Sequence, residues 1–318
     1  MLFTVVLAIF SLMTQAGIVL QYCDGTKDSP CLVQDTPNDE FKPLFYRDSL
    51  MIAAAYADNV HGLKKLWLSG TEMPSMTGWS VIRKSIAEAT DNKVKSIVVI
   101  DLRQESHGYL NGNAVTLAII HDWINVDKSD SEVAYDEASL LNDLRSVKEV
   151  INVLTPSQFE AKAYSEGKSI IVESVKSEEA IAKENGFEYF RMNTPDHRQP
   201  PDTVVDSLVT LVDSLPEHTW VHVHCRGGKG RTTTVMAMID MLKNADKVSF
   251  NDILARQASV SPFYNLTLIK HGDPDLAIYY IERYQFLAKF YQYAILHIQG
   301  NRDKWSIWKK DNQDLRKT

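Results

Sequence analysis

Val221-His222-Val223-His224-Cys225-Arg226-Gly227-Gly228-Lys229-Gly230-Arg231-Thr232-Thr233-Thr234 is a short apolar run, a glycine-rich loop and a row of hydroxyl residues that opens a helical pattern. It reads as strand, loop, helix. Gly227, Gly228 and Gly230 let the backbone turn its N–H groups inward, and together with the N-terminus of the following helix they form a cradle for a tetrahedral anion such as phosphate. His224, Arg226 and Lys229 flank that cradle, His224 as the residue expected to orient it. A thiol between a strand end and a helix N-terminus has its thiolate stabilised by the helix dipole and the loop amides, which makes Cys225 the expected nucleophile. Arg231 offers a planar fork to two phosphoryl oxygens, a grip a lysine does not reproduce. Thr232 can donate its hydroxyl to the thiolate and help Cys225 leave when a thiophosphate is hydrolysed.

An isolated cysteine is by default a core residue. The spacing Cys225, five residues, Arg231, with three threonines after it, sets that default aside. Other phosphate loops fail on spacing: Lys229 is followed by Gly230 where a Walker loop needs Ser or Thr, and the dinucleotide fingerprint is not matched.

With 318 residues, 44% of them hydrophobic, the chain is long enough to bury a real core, so it is not disordered. A formal net charge of −7 argues against a nucleic-acid partner and means that a polyanionic substrate must be met by a local basic cluster. Leu2 to Met13 is apolar and is followed by Thr14-Gln15-Ala16, which resembles a signal-peptidase site. The expectation is a signal peptide over 1–16, a secreted or periplasmic product with no membrane attachment once processed, an extended arm over 17–40 and a phosphatase domain over 41–318. Because the apolar stretch continues through Leu20, an uncleaved anchor is the alternative. Cys23 and Cys31 bracket a polar loop and either close a small disulfide in an exported protein or stay unpaired. The nine histidines are scattered without metal-ligand spacing, so no metal and no cofactor is expected.

Strands and helices alternate along the rest. Ser96 to Ile100 reads as a buried strand ending in the polar Asp101-Leu102-Arg103-Gln104-Glu105-Ser106-His107-Gly108, where Asp101 is expected to pair with Arg103 or a neighbour. Helical spacing covers Ser131 to Leu154; a strand follows at Ser169 to Glu173, a helix from Ser177 to Asn185, and a strand from Phe187 to Met192. Helices are expected at Val204 to Leu215, Thr232 to Asn244, Asp252 to Gln257 and Ala277 to Ile298, with Trp305 and Trp308 as a surface anchor. This alternation argues for an α/β sheet with the catalytic loop at strand C-terminal ends.

The strand ending at Met192 delivers the loop Asn193-Thr194-Pro195-Asp196-His197-Arg198, and Asp196 is the candidate general acid. Phosphomonoester cleavage by a thiolate needs a proton for the departing alkoxide and then a base for the attacking water, and one carboxyl group can serve both steps.

The Cys225 loop, the Asp101 to Gly112 stretch (DLRQESHGYLNG), the Pro195-Asp196-His197 loop and the late Trp305-Ser306-Ile307-Trp308 turn together resemble the protein-tyrosine-phosphatase-like inositol polyphosphate phosphatases of bacteria, the cysteine phytases. The similarity runs from residue 40 to Trp308. It implies a phosphatase sheet flanked by helices, with a small, partly β-barrel subdomain contributed mainly by sequence before residue 175. It also implies stepwise, metal-independent removal of phosphates from myo-inositol polyphosphates, with Cys225 as nucleophile, Asp196 as general acid, Arg231 as phosphate clamp and His197 as a substrate contact. Arg283 falls where the family has a basic residue facing the substrate, and Lys168 and Arg47 are matched as further contacts. The stretch between Lys270 and Tyr279 is shorter than in the family and lacks an expected lysine. Arg226 and Lys229 add positive charge at variable loop positions, a feature that resembles a phosphoinositide phosphatase and favours a substrate with several phosphates. The alternative is a phosphoinositide or protein-tyrosine phosphatase of the same fold. An aromatic slot would favour phosphotyrosine, a wide rim of cations a polyphosphate.

Overall fold

The structure is a computed structural model and describes residues 22–38, 43–269 and 274–312. The expected signal segment 1–16 lies outside the described residues. Eleven described strands run in chain order: β1 Cys31–Thr36, β2 Arg47–Asp48, β3 Leu68–Glu72, β4 Ser96–Arg103, β5 His107–Leu110, β6 Asn113–Ala118, β7 Glu149–Val153, β8 Lys168–Ile171, β9 Val175–Lys176, β10 Glu188–Thr194 and β11 Thr219–Cys225.

The near-continuous apolar runs of β4 and β11 are the mark of strands covered on both faces, and these two form the centre of a five-stranded sheet ordered β10-β4-β11-β3-β2. All its pairings are parallel except that of β2 with β3. Side chains alternate between the two faces. Val221, Val223 and Cys225 of β11, with Val98, Ile100 and Leu102 of β4, pack against the helices Asp202–Ser214, Gly230–Asn244 and Pro274–Ile298. Trp220 of β11, with Ile97 and Val99 of β4, packs on the opposite face against Trp79 of the helix Met76–Ala89 and Ile181 of the helix Glu178–Glu184. An α/β sheet flanked by helices is therefore the observed core.

β4 passes beyond this sheet and turns into β5, which belongs to a second, four-stranded sheet ordered β1-β6-β5-β9. Asn111 and Gly112 take φ values of 52° and 80° between β5 and β6, the left-handed pair that an Asn-Gly hairpin turn requires. A bridge from Val33 to Leu154 links β1 to the β7-β8 pair, and only residues 172–174 separate β8 from β9. The small sheet thus curls back toward its beginning, partly barrel-like, around Leu32, Val115, Leu141, Leu144 and Val150.

Three expectations need correction, and of the two alternatives for Cys23 and Cys31 the disulfide is the one observed. The segment 17–40 is not simply an extended arm, because Cys31–Thr36 pairs antiparallel with β6 and is largely buried. Cys23 and Cys31 form a disulfide at its start. The helix expected over Ser131 to Leu154 is Asp130–Ser146; Val147 caps it in extended conformation, and the β-branched run that follows becomes β7. Trp305 and Trp308 are not a surface anchor: both are buried in the main core, and the indole of Trp305 donates to Asp202 at 2.8 Å. No described helix is long and apolar enough to cross a membrane.

Candidate active site

Cys225 ends β11 on the face covered by the helix Gly230–Asn244, so strand alternation alone points its thiol at that helix's N-terminus. It is a free cysteine, 3% exposed, at the floor of a cavity of about 530 Å³. Thr232 Oγ1 donates to Cys225 Sγ at 3.2 Å. Gly227, Lys229 and Gly230 line the cavity. Gly228 has φ of 62°, and a Cβ there would stand 2.3 Å from the backbone nitrogen of Glu72, so the loop can pass β3 only without a side chain.

Arg231 is buried. Its Nη1 and Nη2 donate to the two oxygens of Glu105 at 2.7 and 2.9 Å, its Nη1 also reaches the Thr194 carbonyl at 3.2 Å, and its Nε lies 3.0 Å from Asp196 Oδ1. Although burial opposes its charge, Asp196 and Glu105 push the Arg231 pKa well above the ordinary guanidinium value. Glu105 is also buried and is held well below the usual carboxylate range, against its own desolvation, by Arg231 and Arg103. The clamp is thus fixed by a two-point carboxylate fork behind it.

β10 delivers the loop with Asp196 and His197 to the same cavity. Trp123 Nε1 donates to the Asp196 carbonyl at 3.0 Å, and His197 Nε2 lies 3.3 Å from Asp196 Oδ2. His197 Nδ1 is 3.1 Å from the Tyr280 hydroxyl, and burial lowers the His197 pKa below the ordinary value. Arg283 reaches the cavity from the helix Pro274–Ile298. It lies against Tyr264 and Tyr280 with its Nη2 donating to the Tyr264 hydroxyl at 2.9 Å, while its Nε and Nη1 are buried without a hydrogen-bond partner among the described residues. Lys229 sits over the Phe45 ring at 5.0 Å.

Arg226 departs from expectation. It lines the cavity but is not a free rim cation: its Nε donates to Asp35 Oδ1 at 2.8 Å and its Nη1 to Asp122 Oδ1 at 2.6 Å. Burial pushes the Asp122 carboxyl up to about 6, against the pull of Arg226.

Six residues named from the sequence are not among those that line the cavity: Gly228, Arg231 and Thr232, whose contacts are given above, and three more. His224 follows the alternation of β11 onto the other face, fully buried, with Nε2 2.6 Å from Glu178 Oε1 and its ring edge-on to Trp79. Arg47 is buried behind the catalytic loop, donating to the Phe45 carbonyl and, at 2.9 Å, to Thr233 Oγ1. Lys168 opens β8 as an exposed residue of the two-stranded sheet. Glu105, Asp35, Asp122 and Tyr280 were not singled out from the sequence. Glu105 lies within the polar stretch that follows the strand at Ser96, so crowding of charge at a strand end was its available signal.

That stretch also builds a buried network between the two sheets. Asp101 does not pair with the Arg103 side chain; it accepts from the Arg103 backbone N–H at 2.8 Å and faces His107 at 3.2 Å and Arg191 at 3.7 Å. Asp101, Glu178 and His224 hold their ligand atoms within 4.8 Å of one another, a grouping drawn from three elements that linear metal-ligand spacing does not reveal. The cations His107 and Arg191 beside it make it an ion-pair network.

A family model described as PTP-like phytase, inositol hexakisphosphate, matches residues 100–243. A PTP-like phytase from Bdellovibrio bacteriovorus superimposes with a TM-score of 0.68 at 33% identity, over 88% of this chain and 94% of that one. The PTP-like myo-inositol phosphatase from Mitsuokella multacida, solved in complex with myo-inositol-(1,3,4,5)-tetrakisphosphate, gives a TM-score of 0.77 at 30% identity, over 91% of this chain and 50% of that one. The effector protein hopD2 of Pseudomonas syringae pv. tomato is 31% identical over 250 residues, 78% of this chain and 52% of that protein. The chain therefore spans about half the length of that curated relative and of the Mitsuokella protein. With the loop at Cys225, the fold around it and a solved relative matched over nearly its whole length, this chain belongs to the PTP-like phytase family.

Proposed function

We propose that the protein hydrolyses phosphomonoesters of myo-inositol through a cysteinyl-phosphate intermediate. The observation that carries this reading is convergence: Cys225, Gly227 and Gly230 of its loop, and Asp196 line one cavity, with the Arg231 guanidinium 3.0 Å from Asp196 and the Thr232 hydroxyl already on the sulfur. The reacting phosphate sits in the loop cradle against Arg231. The Cys225 thiolate attacks phosphorus, the bond to the ester oxygen breaks, and Asp196 gives that oxygen its proton. Asp196, now a carboxylate, takes a proton from water as the water oxygen attacks phosphorus. The P–S bond breaks, and Thr232 stabilises the departing thiolate by hydrogen bonding. Arg283, two of whose buried nitrogens have no partner among the described residues, contacts the substrate beyond the reacting group.

Phosphate release from a series of inositol phosphates, in EDTA and beside a Cys225→Ser control, tests the proposal; release that persists in the control removes Cys225 from the reaction. Tyr264, Tyr280 and Phe159 also line the cavity and favour a second reading, an aromatic phosphate ester. A phosphotyrosine peptide turned over in preference to every inositol phosphate would establish it. We further read the chain as exported and freed of 1–16, a reading that the Cys23–Cys31 disulfide supports. Mass spectrometry of the mature protein, showing an N-terminus at Gly17, is the expected result.

A further inference from the structure

Asp196 stands on a turn that the core covers only in part. Asp196, His197 and Arg198 are all half-buried, the Arg198 backbone N–H closes on the Pro195 carbonyl at 3.4 Å, and His197 takes a φ of 64°. The Asp196 carboxyl lies 3.0 Å from Arg231 and 3.3 Å from His197. The reaction disturbs these contacts, because Arg231 must meet the phosphate and the carboxyl must meet the leaving oxygen. A contact to the backbone of Asp196 survives that change. Trp123, which follows β6 of the small sheet, supplies one: its indole Nε1 donates to the Asp196 carbonyl at 3.0 Å.

The same ring grips the turn a second time. The Arg198 guanidinium lies 4.4 Å from the centre of the Trp123 ring and 4.6 Å from that of Tyr279, and the two rings meet edge to face at 81° with centroids 5.3 Å apart. A cation in the corner of two aromatic faces is attracted by both. Arg198 Nη2 also donates to the Tyr279 hydroxyl at 3.3 Å. Tyr279 belongs to the helix Pro274–Ile298, so the turn is bracketed between the small sheet and the main body. Neither Trp123 nor Arg198 is among the residues lining the cavity, so each acts on a substrate only through Asp196. We propose that Trp123 is a positioning residue for proton transfer, which together with Arg198 and Tyr279 fixes the Asp196 backbone so that its carboxyl meets the leaving oxygen. This rests on the acid role given to Asp196 above and adds what aims it.

The test is single-turnover cleavage of phenyl phosphate and p-nitrophenyl phosphate by the wild type, Trp123→Phe, Arg198→Ala and Asp196→Asn. The two esters are alike in shape, but phenolate needs a proton to leave and p-nitrophenolate does not. Trp123→Phe keeps an aromatic face for Arg198 and removes the indole N–H. It should slow cleavage of phenyl phosphate by about tenfold and of p-nitrophenyl phosphate by less than about twofold. Arg198→Ala, which empties the aromatic corner, should show the same split between the esters. A merely structural role would slow both esters alike, so equal losses, or none, in either variant overturn the inference. If Asp196→Asn still separates the esters in that case, the acid reading stands and the inference alone falls; if Asp196→Asn does not separate them, both fall. Should Trp123→Phe not fold, Arg198→Ala decides alone. Whether inositol esters are cleaved has no bearing on this outcome.

Discussion

Asp196 and Gly228 carry the sharpest expectations at the level of single residues. If Asp196 supplies the proton to the leaving group, Asp196→Asn slows release of an alkoxide by roughly 10²-fold or more, while p-nitrophenolate, a good leaving group, leaves at nearly the wild-type rate. Pre-steady-state release rates for the two esters check this, and equal losses would remove Asp196 from the acid role. Gly228→Ala places a Cβ against the backbone of β3 at a left-handed position, so the loop must move; stability should fall by about 1–3 kcal/mol, with a loss of activity larger than that alone explains. Chemical denaturation beside an activity assay separates the two. The loop chemistry was legible in sequence because nucleophile, cradle and clamp lie within seven consecutive positions. What holds the clamp was not: Glu105 is 126 residues from Arg231, and the partners of Arg226 are 191 and 104 residues away. No local pattern announces such a pairing, which is why Arg226 read as a free rim cation.

The elements show the same division between local and distant information. The long runs of the main sheet, β4 and β11, and the helices behind Cys225 were legible, since each is covered by its neighbours and carries the matching apolar period. β1, β3 and β6 escaped because short strands acquire their meaning from a partner, although the Asn111-Gly112 pair was a readable hairpin signal. β1 is the element with most at stake, since it bears Asp35 and begins at a disulfide. A cross-link spanning 8 positions stabilises by about 2.5 kcal/mol in the chain-entropy account. The paired Cys23→Ala and Cys31→Ala variant should lose that amount in urea titration; an unchanged midpoint would show that the bridge constrains little. At the other end, Trp305→Ala empties a fully buried site among Phe286, Phe290 and Tyr293 and should cost about 3–5 kcal/mol.

Across the whole molecule, the two sheets meet at the buried ions around Asp101, His107 and Glu178. Glu137 and Asp101 raise the His107 pKa from its ordinary 6.5 to about 10, against burial and the opposing charge of Arg103. Its contribution to stability is therefore complete below pH 6.5 and is lost as pH rises through about 10. Asp101 and Glu105 are lowered, so their contributions are present above the ordinary carboxylate range and are lost on acidification. Melting temperature should fall on both sides of neutrality. In His107→Gln the alkaline part of that decline should shrink, and a slope identical to wild type between pH 7 and 10 would show that His107 is not the titrating group.

The arrangement of strands also governs how copies of the protein behave toward each other. The main sheet ends on one side in β2, two residues long and antiparallel to its neighbour, and the small sheet spends much of its rim on the bridge to Leu154 and the short return into β9. Unpaired backbone on a long outer strand is what recruits a second molecule into intermolecular sheet and, eventually, aggregate. The longest outermost strand, β10, carries Glu188 and Arg191 within its span, and charge there discourages such recruitment. The native chain should accordingly remain dispersed at concentrations where proteins with bare strands scatter light, leaving the partly unfolded state, with β1 detached, as the species from which precipitation begins.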